Sequence, residues 1–363
     1  MSSRQFFTAQ AGFDAARQLH NLPSGHRALR LHGHSFQVRV RAALSEGWAP
    51  FPGGELSRLQ SMLADVIAPL DHVLLNELVD EPCDDGLARW IAGQLRLPQT
   101  PAIGLQSSAN SGVDVDGRGV AHAWRRYRFQ SAHRLPNVPL GHKCGRMHGH
   151  GFEAVVHLRA APGEPTHAAC DRLDELWAPL HHQLNYACLN ELPGLENPTS
   201  EMLSRWLWQR LVAGTDGLTA VRVYETASCG AQYDGATHRI WKDFHLDSAL
   251  RLRRAPPGSP LSGLHGHTYT LRLHLSAELD ELRGWAVDFG DVKELFKPVF
   301  KALDHHPLHD IPDLLDCDAA SLARWVLAQA QARLPQVSRV DLFETEGCGA
   351  IVCTGDAEPV LAA

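Results

Sequence analysis

The sequence lacks the features that would assign it to several common classes. Its eight cysteines include no C-x-x-C pair, which argues against a cysteine-based zinc knuckle. No segment approaches the ~18 apolar residues that a membrane helix needs, and Met1 to His20 has no apolar stretch typical of a signal peptide. A formal net charge of −7 argues against a nucleic-acid-binding surface. We therefore expect a cytoplasmic protein with reduced thiols that binds neither nucleic acid nor membranes.

Histidine, in contrast, is abundant, with 22 residues in a chain of 363. Three of them, His133, His148 and His150, lie with Cys144 in one short segment. Alternate residues of a strand point to the same face, so His148 and His150 can converge on one ion, and a neighbouring strand can supply His133. Three imidazoles are a preferred ligand set for catalytic zinc, so we predict about one Zn²⁺ per chain. The adjacent Lys143 should favour the thiolate of Cys144.

The His-Gly-His triplet occurs three times, at intervals of 116 and 117 residues. The copies begin at His32, His148 and His265, and an alternating apolar pattern typical of a strand follows each. Two helical patterns and two late strands complete each copy. We therefore predict three tandem α+β units, 1–119, 120–235 and 236–356, followed by a tail at 357–363. They are called units 1, 2 and 3 below.

Short motifs in unit 2 resemble the active-site strands of the 6-pyruvoyl-tetrahydropterin synthase superfamily. They are A-H-R-L-P at 132–136, G-H-K-C-G-R at 141–146 and H-G-H at 148–150. Together with P-G-L-E-N-P-T-S-E at 193–201, they are most similar to the 6-carboxytetrahydropterin synthases of queuosine biosynthesis. In that family these motifs supply the three zinc ligands and the catalytic cysteine.

The resemblance also implies the fold class. We expect three tunnelling-fold (T-fold) units, each an antiparallel four-stranded sheet with two helices on one face. Such a sheet leaves two open edges that a soluble protein must protect. In the family, three subunits join their sheets into a barrel, so three fused units predict one pseudo-threefold barrel per chain. Two stacked chains, a homodimer of pseudo-trimers, would then match the paired rings of the family.

The constant register allows the units to be compared position by position. At the positions of His133 and Cys144, unit 1 has Arg17 and Ala28, and unit 3 has Leu250 and Leu261. Neither a protonated arginine nor a leucine can ligate a metal cation. We therefore expect metal in unit 2 alone. Structural roles are expected for the remaining triplet histidines, His32, His34, His265 and His267.

The family also uses an Asp-His pair as a proton relay and a glutamate, in a Glu-Thr step, that anchors the pterin ring. Unit 3 has both, as Asp304-His305 and Glu344. Unit 1 has Asp71-His72 but Gln106 near the glutamate position. Unit 2 has Glu225-Thr226 but no Asp-His pair, and two registers place either Leu180 or His181 there.

We therefore predict one active site per chain, at the interface of units 2 and 3. Unit 2 would supply the zinc ligands and Cys144, and unit 3 would supply Asp304, His305 and Glu344. An alternative places Asp71-His72 of unit 1 opposite Cys144, but the missing glutamate of that unit counts against it.

The resemblance implies a lyase that converts 7,8-dihydroneopterin triphosphate into 6-carboxy-5,6,7,8-tetrahydropterin, acetaldehyde and triphosphate. Zinc would act as a Lewis acid, Cys144 as the carbon base, and Asp304-oriented His305 as the second proton carrier. Lys143 and Arg146 are candidates for binding the triphosphate. Two alternatives stay open: 6-pyruvoyl-tetrahydropterin synthase activity, and a non-catalytic pterin-binding scaffold. A thiol hydrolase is less favoured, because the cysteine lies among histidines with metal-ligand spacing.

Overall fold

The computed structural model describes residues 3–45, 47–160, 164–280, 283–314 and 316–355, so the predicted tail at 357–363 lies outside the described residues. The strands are β1 (Ser3–Arg17), β2 (His32–Ala42), β3 (Ala102–Ser108), β4 (Ser111–Val115), β5 (Ala121–His133), β6 (His148–Arg159), β7 (Ala187–Cys188), β8 (Leu218–Thr226), β9 (Cys229–Tyr233), β10 (His238–Leu250), β11 (His265–Ser276), β12 (Val337–Thr345) and β13 (Cys348–Thr354). The α-helices are α1 (Glu55–Ile67), α2 (Asp84–Gln94), α3 (Thr166–Leu184), α4 (Ser200–Leu211), α5 (Phe289–Leu303) and α6 (Ala319–Gln331). No helix in these ranges is both long and apolar enough to cross a membrane.

Twelve of the strands form one closed antiparallel ring. Consecutive strands pair within each unit: β1 to β4 in unit 1, β5, β6, β8 and β9 in unit 2, and β10 to β13 in unit 3. The units join where β4 pairs with β5, β9 with β10 and β13 with β1. The short β7 lies outside this ring, parallel to the end of β5. Ring closure pairs the edges that isolated sheets would expose, and the expected closed antiparallel barrel with helices is confirmed.

Side-chain alternation gives the barrel an apolar outer face and a polar inner face. In β2, Phe36, Val38 and Val40 are fully buried in a core that they share with α1 and α2. Burying each such side chain contributes about 1.5–3 kcal/mol. The alternate positions face the barrel interior, where Arg272 donates to both oxygens of Asp243 at 2.6 and 2.8 Å. The helices therefore lie outside the ring, and charged pairs lie inside it.

The first two strands of each unit extend beyond the last two, which leaves a gap at each junction between units. For example, β10 pairs with β9 only as far as Lys242, yet it continues to Leu250. We name the gaps seam 1/2 (β4 and β5), seam 2/3 (β9 and β10) and seam 3/1 (β13 and β1). Because strands of the ring alternate in direction, all three seams open at the barrel end that carries the His-Gly-His triplets.

In each seam, the residues after the first helix of the following unit run along the free edge of its first strand. The backbone N–H groups of His72, Tyr186 and His305 donate to Asp14, Gln130 and Asp247 at 2.6, 2.6 and 2.7 Å. All three residues have left-handed backbone conformation, with φ of 58°, 60° and 58°. The preceding side chains, of Asp71, Asn185 and Asp304, accept from the same strands at 2.9, 2.9 and 3.0 Å.

These equivalent hydrogen bonds identify Asn185-Tyr186 as the unit 2 counterpart of the Asp-His pairs. Both registers derived from the sequence, at Leu180 and His181, are wrong. The reason is that α3 continues to Leu184, about one turn beyond the corresponding point of unit 1. The conclusion that unit 2 lacks an Asp-His pair still holds.

Candidate active site

The three predicted zinc ligands converge at the open end of unit 2. His133 is the last residue of β5 and faces His148, the first residue of β6. His150 lies two residues further along β6, on the same face of the strand. One ring nitrogen from each histidine lies within 4.8 Å of the others, and the described ranges contain no second cluster of this kind.

Hydrogen bonds orient these rings and leave nitrogens free for a metal. His133 Nδ1 lies 3.0 Å from the carbonyl of Pro198, and His148 Nδ1 lies 2.8 Å from the carbonyl of Arg146. Because a carbonyl only accepts, both rings carry a proton on Nδ1 and present a lone pair on Nε2. The Nε2 atoms of His133 and His150 are buried without a hydrogen-bond partner. Burial also lowers the pKa of both rings, which favours the neutral, metal-binding form. The donor set therefore fits zinc.

Cys144 lies in a short turn of the loop that joins β5 to β6. Its backbone N–H donates to His142 Nδ1 at 3.2 Å, and its carbonyl accepts from Leu135 at 2.8 Å. Burial raises the pKa of the thiol, the charge of Glu225 raises it further, and Lys143 lowers it only in part. The protein's own groups therefore favour the thiol, contrary to the effect expected from Lys143 alone.

A cavity of about 790 Å³ opens on seam 2/3. From unit 2 it is lined by Cys144, His148, His150 and Glu225, and also by Lys143 and Arg146, the two predicted phosphate ligands. From unit 3 it is lined by Lys242, Trp285, Asp288, Phe289 and Lys293. The cavity is therefore composite, because β10 and the start of α5 form its second wall.

Two glutamates of unit 2 lie in this cavity. Glu225, near the end of β8, places Oε1 3.6 Å from His150 Nε2, and its Oε2 accepts from the Ser200 hydroxyl at 2.8 Å. Glu201 is 2% exposed and accepts from the Ala286 N–H at 3.0 Å. Burial raises the pKa of Glu201 to about 7. Thr199 caps α4 by accepting from its third residue, which holds the first turn of the helix at the cavity wall.

Glu344 does not lie in the cavity of Cys144, which corrects the predicted site. It lies near the end of β12, with Oε2 3.9 Å from Nε2 of His267 in its own unit. The register explains this position: Phe343 pairs with Gly349 as Tyr224 pairs with Gly230, so Glu344 is the unit 3 counterpart of Glu225. Because the second and third strands of a unit are neighbours, Glu225 and Glu344 each lie beside a histidine of their own unit.

Asp304 and His305 lie on seam 2/3, the seam that contains the cavity, but they do not line it. Asp304 follows the last residue of α5, whose first turn lines the cavity. Because α5 has 15 residues and is therefore about 22 Å long, Asp304 and the residues of α5 that line the cavity lie at opposite ends of this helix. His305 Nδ1 lies 3.0 Å from Asp304 Oδ2, and the His305 side chain is 74% exposed. Asp71-His72 lies on seam 3/1 instead, so the alternative relay belongs to a different gap from Cys144.

Seam 1/2 contains an arginine where seam 2/3 has its third histidine. The buried guanidinium of Arg17 donates to Asp84 at 2.7 Å and lies 3.2 Å from His34 Nε2. Ser107, not Gln106, occupies the glutamate position of unit 1, because Gln106 pairs with Gly112 as Tyr224 pairs with Gly230. Its hydroxyl donates to Asp84 at 2.7 Å. In unit 1, the Arg17 guanidinium therefore occupies the position that corresponds to the predicted metal site of unit 2.

Sequence reasoning missed several residues of the cavity wall. Lys242, Trp285 and Lys293 come from unit 3 and are far in sequence from the histidine motifs. Glu201 stood inside a recognised motif, yet its burial gave no signal in the sequence. The Glu-Thr step marks Glu225 as a candidate, but it marks Glu344 equally, so the choice between the two required the strand order.

One protein family matches most of the chain. The family described as 6-pyruvoyl tetrahydropterin synthase matches three segments, residues 7–107, 122–236 and 239–354. The 6-carboxy-5,6,7,8-tetrahydropterin synthase of Synechocystis sp. is 34% identical over 121 residues, which cover 30% of this chain and 90% of that protein. The dihydroneopterin monophosphate aldolase of Pyrococcus furiosus is 31% identical over 84 residues, 22% of this chain and 70% of that protein. A solved Caenorhabditis elegans 6-pyruvoyl tetrahydropterin synthase is 18% identical, with a TM-score of 0.30 over 32% of this chain and 95% of that one.

Proposed function

The chain belongs to the 6-pyruvoyl tetrahydropterin synthase family, as its motifs predicted, and we propose that it is a zinc-dependent 6-carboxy-5,6,7,8-tetrahydropterin synthase of queuosine biosynthesis. Its substrate would be 7,8-dihydroneopterin triphosphate, and its products 6-carboxytetrahydropterin, acetaldehyde and triphosphate. Three fused T-fold units would form one pseudo-threefold barrel. That barrel would contain one zinc ion and one active site, on seam 2/3.

The distribution of residues among the three seams is the observation that supports a single site. Seam 2/3 has three histidines, a thiol and a glutamate around one cavity, with an Asp-His pair on the adjacent strand edge. At the equivalent positions of the described residues, seam 1/2 lacks the third histidine, the cysteine, the glutamate and the Asp-His pair. Seam 3/1 lacks the third histidine and the thiol. Only one seam therefore combines the groups that the reaction needs.

His133, His148 and His150 would hold the zinc, with two of the rings oriented by backbone carbonyls. When bound, zinc would supply Lewis acidity toward the side-chain hydroxyls of the substrate. Glu225 takes the anchoring role that the sequence had assigned to Glu344. The hydrogen bond from Ser200 engages its Oε2, so Oε1 can accept from the adjacent N–H donors of a pterin edge.

Cys144 is the proposed base that takes the proton from the substrate side-chain carbon. His305 would transfer the second proton, because Asp304 accepts from Nδ1–H and leaves Nε2 as the acceptor. General acid–base catalysis of this kind is typically worth ~10²–10⁴ in rate. Since the His305 ring is exposed in the single chain, we infer that substrate or a second chain encloses it.

Four cations of the cavity wall are available for the triphosphate. Lys143 and Arg146 come from the Cys144 loop, and Lys242 and Lys293 come from unit 3. The ammonium group of Lys242 donates to the Ser228 hydroxyl at 2.9 Å. A local basic wall of this kind can attract an anion despite the negative net charge of the chain.

A stacked homodimer is the proposed assembly. Leu31, Met147 and Leu264 each precede a His-Gly-His triplet, and their side chains are 64%, 55% and 65% exposed. Tyr186, at the same end of the barrel, is 87% exposed. Exposed apolar residues from all three units at one end of the barrel make this end the candidate interaction surface, so we propose that two chains stack through it. Light scattering should report a dimer that a Leu31→Ser, Met147→Ser, Leu264→Ser variant dissociates; a monomeric wild type would reject the proposal.

Product analysis tests the activity. The purified chain is incubated with 7,8-dihydroneopterin triphosphate, the products are identified by mass, and bound zinc is measured. We expect 6-carboxytetrahydropterin and about one zinc per chain. A 6-pyruvoyl product would select the alternative synthase activity, and a chain with no product and no zinc would select the scaffold.

The relay is tested by paired variants. We expect His305→Ala to lower kcat about 10²-fold or more, with zinc retained. His72→Ala, the matched control on seam 3/1, should keep most of the activity. The reverse result would assign the relay to unit 1.

A further inference from the structure

The Glu344 carboxylate on seam 3/1 has no hydrogen-bond donor among the residues described. The side chain is one-fifth exposed, and Nε2 of His267 lies 3.9 Å away, beyond hydrogen-bond distance. Its counterpart Glu225 accepts from Ser200 at 2.8 Å, whereas unit 3 has Ala319 at the serine position. A partly buried carboxylate without a donor is unfavourable. Accordingly, burial raises the pKa of Glu344 to about 7.

A second polar group without a partner lies near Glu344. The Tyr269 hydroxyl is fully buried and has no hydrogen-bond partner. Unit 2 has the apolar ring of Phe152 at this position. Both groups lie beside His267, whose ring centroid is 5.3 Å from that of Tyr269 and whose Nε2 is 3.9 Å from Glu344 Oε2. Two unpaired polar groups in one place indicate a position that a polar ligand would complete.

The rest of seam 3/1 excludes a metal and excludes the proposed chemistry. Leu250 and Leu261 replace the third histidine and the cysteine, so neither zinc nor a thiol base can be held as in unit 2. Unit 1 packs against this region through Gly53, where an added Cβ would lie 3.2 Å from Cβ of Asp318. The seam therefore keeps the carboxylate and an Asp-His pair, but not the complete metal-ligand set or the thiol.

We propose that seam 3/1 is a second, metal-free binding site for a pterin, held by Glu344 and by the Tyr269 hydroxyl. The adjacent N–H donors of a 2-amino-4-oxo ring edge match a carboxylate that has no other donor. The identity of the ligand rests on the proposed function, because Glu344 and Glu225 occupy equivalent register positions. The site binds without converting its ligand.

Equilibrium dialysis with neopterin, which carries no phosphate, tests the proposal on the full zinc-loaded chain. We expect two neopterin molecules per wild-type chain, one for Glu225→Gln, one for Glu344→Gln and none for the double variant. One molecule per wild-type chain, lost in Glu225→Gln and kept in Glu344→Gln, would overturn the second site and leave the proposed function intact. A wild type that binds no neopterin would count against both.

A milder variant separates loss of the site from loss of the fold. Tyr269→Phe introduces the residue that unit 2 carries at this position, so it preserves the packed ring. We expect it to weaken the second binding event about tenfold, as for the loss of one neutral hydrogen bond, and to leave the first unchanged. Zinc removal by chelation should also leave the second event unchanged. Equal affinity of wild type and Tyr269→Phe would overturn the role of the hydroxyl.

Discussion

Seams 1/2 and 2/3 are built from equivalent strands and turns, yet seam 2/3 has three histidines that could hold a metal ion, whereas seam 1/2 has a buried arginine. In seam 2/3, one ring nitrogen from each of His133, His148 and His150 lies within 4.8 Å of the others, which leaves space for an ion between them. In seam 1/2, the Arg17 guanidinium reaches His34 and donates to Asp84. The two seams also use equivalent backbone acceptors: the Pro82 carbonyl accepts from Arg17, and the Pro198 carbonyl accepts from His133.

The comparison shows how a metal position can be replaced without an unpaired charge. Burial alone would raise the pKa of Asp84, but the charge of Arg17 and hydrogen bonds lower it to about 2. Seam 2/3 has the neutral Ser200 at the position of Asp84. An arginine and its carboxylate have therefore together taken the place that a metal ion and a serine would occupy.

The largest effect is expected when seam 2/3 is given the arginine of seam 1/2. His133→Arg removes one zinc ligand and places a cation at the metal position, so bound zinc should fall from about one per chain to near zero. Metal analysis and product formation measure the loss. As a control, His32→Ala in seam 1/2 should change neither. Zinc retained by His133→Arg would contradict the ligand assignment.

The next effect concerns the thiol. Cys144→Ala introduces the residue that seam 1/2 has at this position, Ala28, and should lower kcat by ~10²–10⁴ because the proposed carbon base is lost. Bound zinc should stay unchanged, since the three histidines remain. Cys170→Ala, which changes a buried cysteine of seam 1/2, is the control and should remain active. If Cys144→Ala kept normal turnover, the proton would have to leave by another base.

A smaller effect, on stability, is expected from breaking the buried pair of seam 1/2. Arg17→Leu leaves Asp84 buried without its cation and should lower the free energy of unfolding by about 3–5 kcal/mol. Urea denaturation measures the change. The double variant Arg17→Leu, Asp84→Ala reproduces the Leu250 and Ala319 combination of unit 3 and should recover most of the loss. A single variant as stable as the wild type would show that the pair contributes little.

The smallest effect is a pH dependence from Glu201. Burial raises its folded-state pKa from 4.5 to about 7, so between these values the folded chain holds a proton that the unfolded chain has released. Stability therefore falls as pH rises from about 5 to 7, on the order of 2–3 kcal/mol for this group. Glu201→Gln should show a flatter profile of unfolding free energy against pH. Glu191→Gln, on an ordinary surface turn, should keep the wild-type slope.

The sequence predicted that the three histidines cluster, because this depends on short-range geometry. A two-residue spacing in a strand sets the common face of His148 and His150. A constant repeat register shows directly that Arg17 and Leu250 cannot replace His133 as ligands. The register failed after α3, where about one extra helical turn moved the counterpart of the Asp-His pair to Asn185-Tyr186.

Which glutamate serves the cavity was decided by the tertiary structure alone. Glu225 and Glu344 stand in the same Glu-Thr step, so no local signal separates them. In the ring, β6 and β8 are neighbours within unit 2, which places Glu225 beside His150. Asp304-His305 instead hydrogen-bonds along the first strand of unit 3, because that strand has a free edge in the seam. The amino-acid sequence thus determines which groups each unit carries, whereas the order of strands around the barrel decides which of them meet.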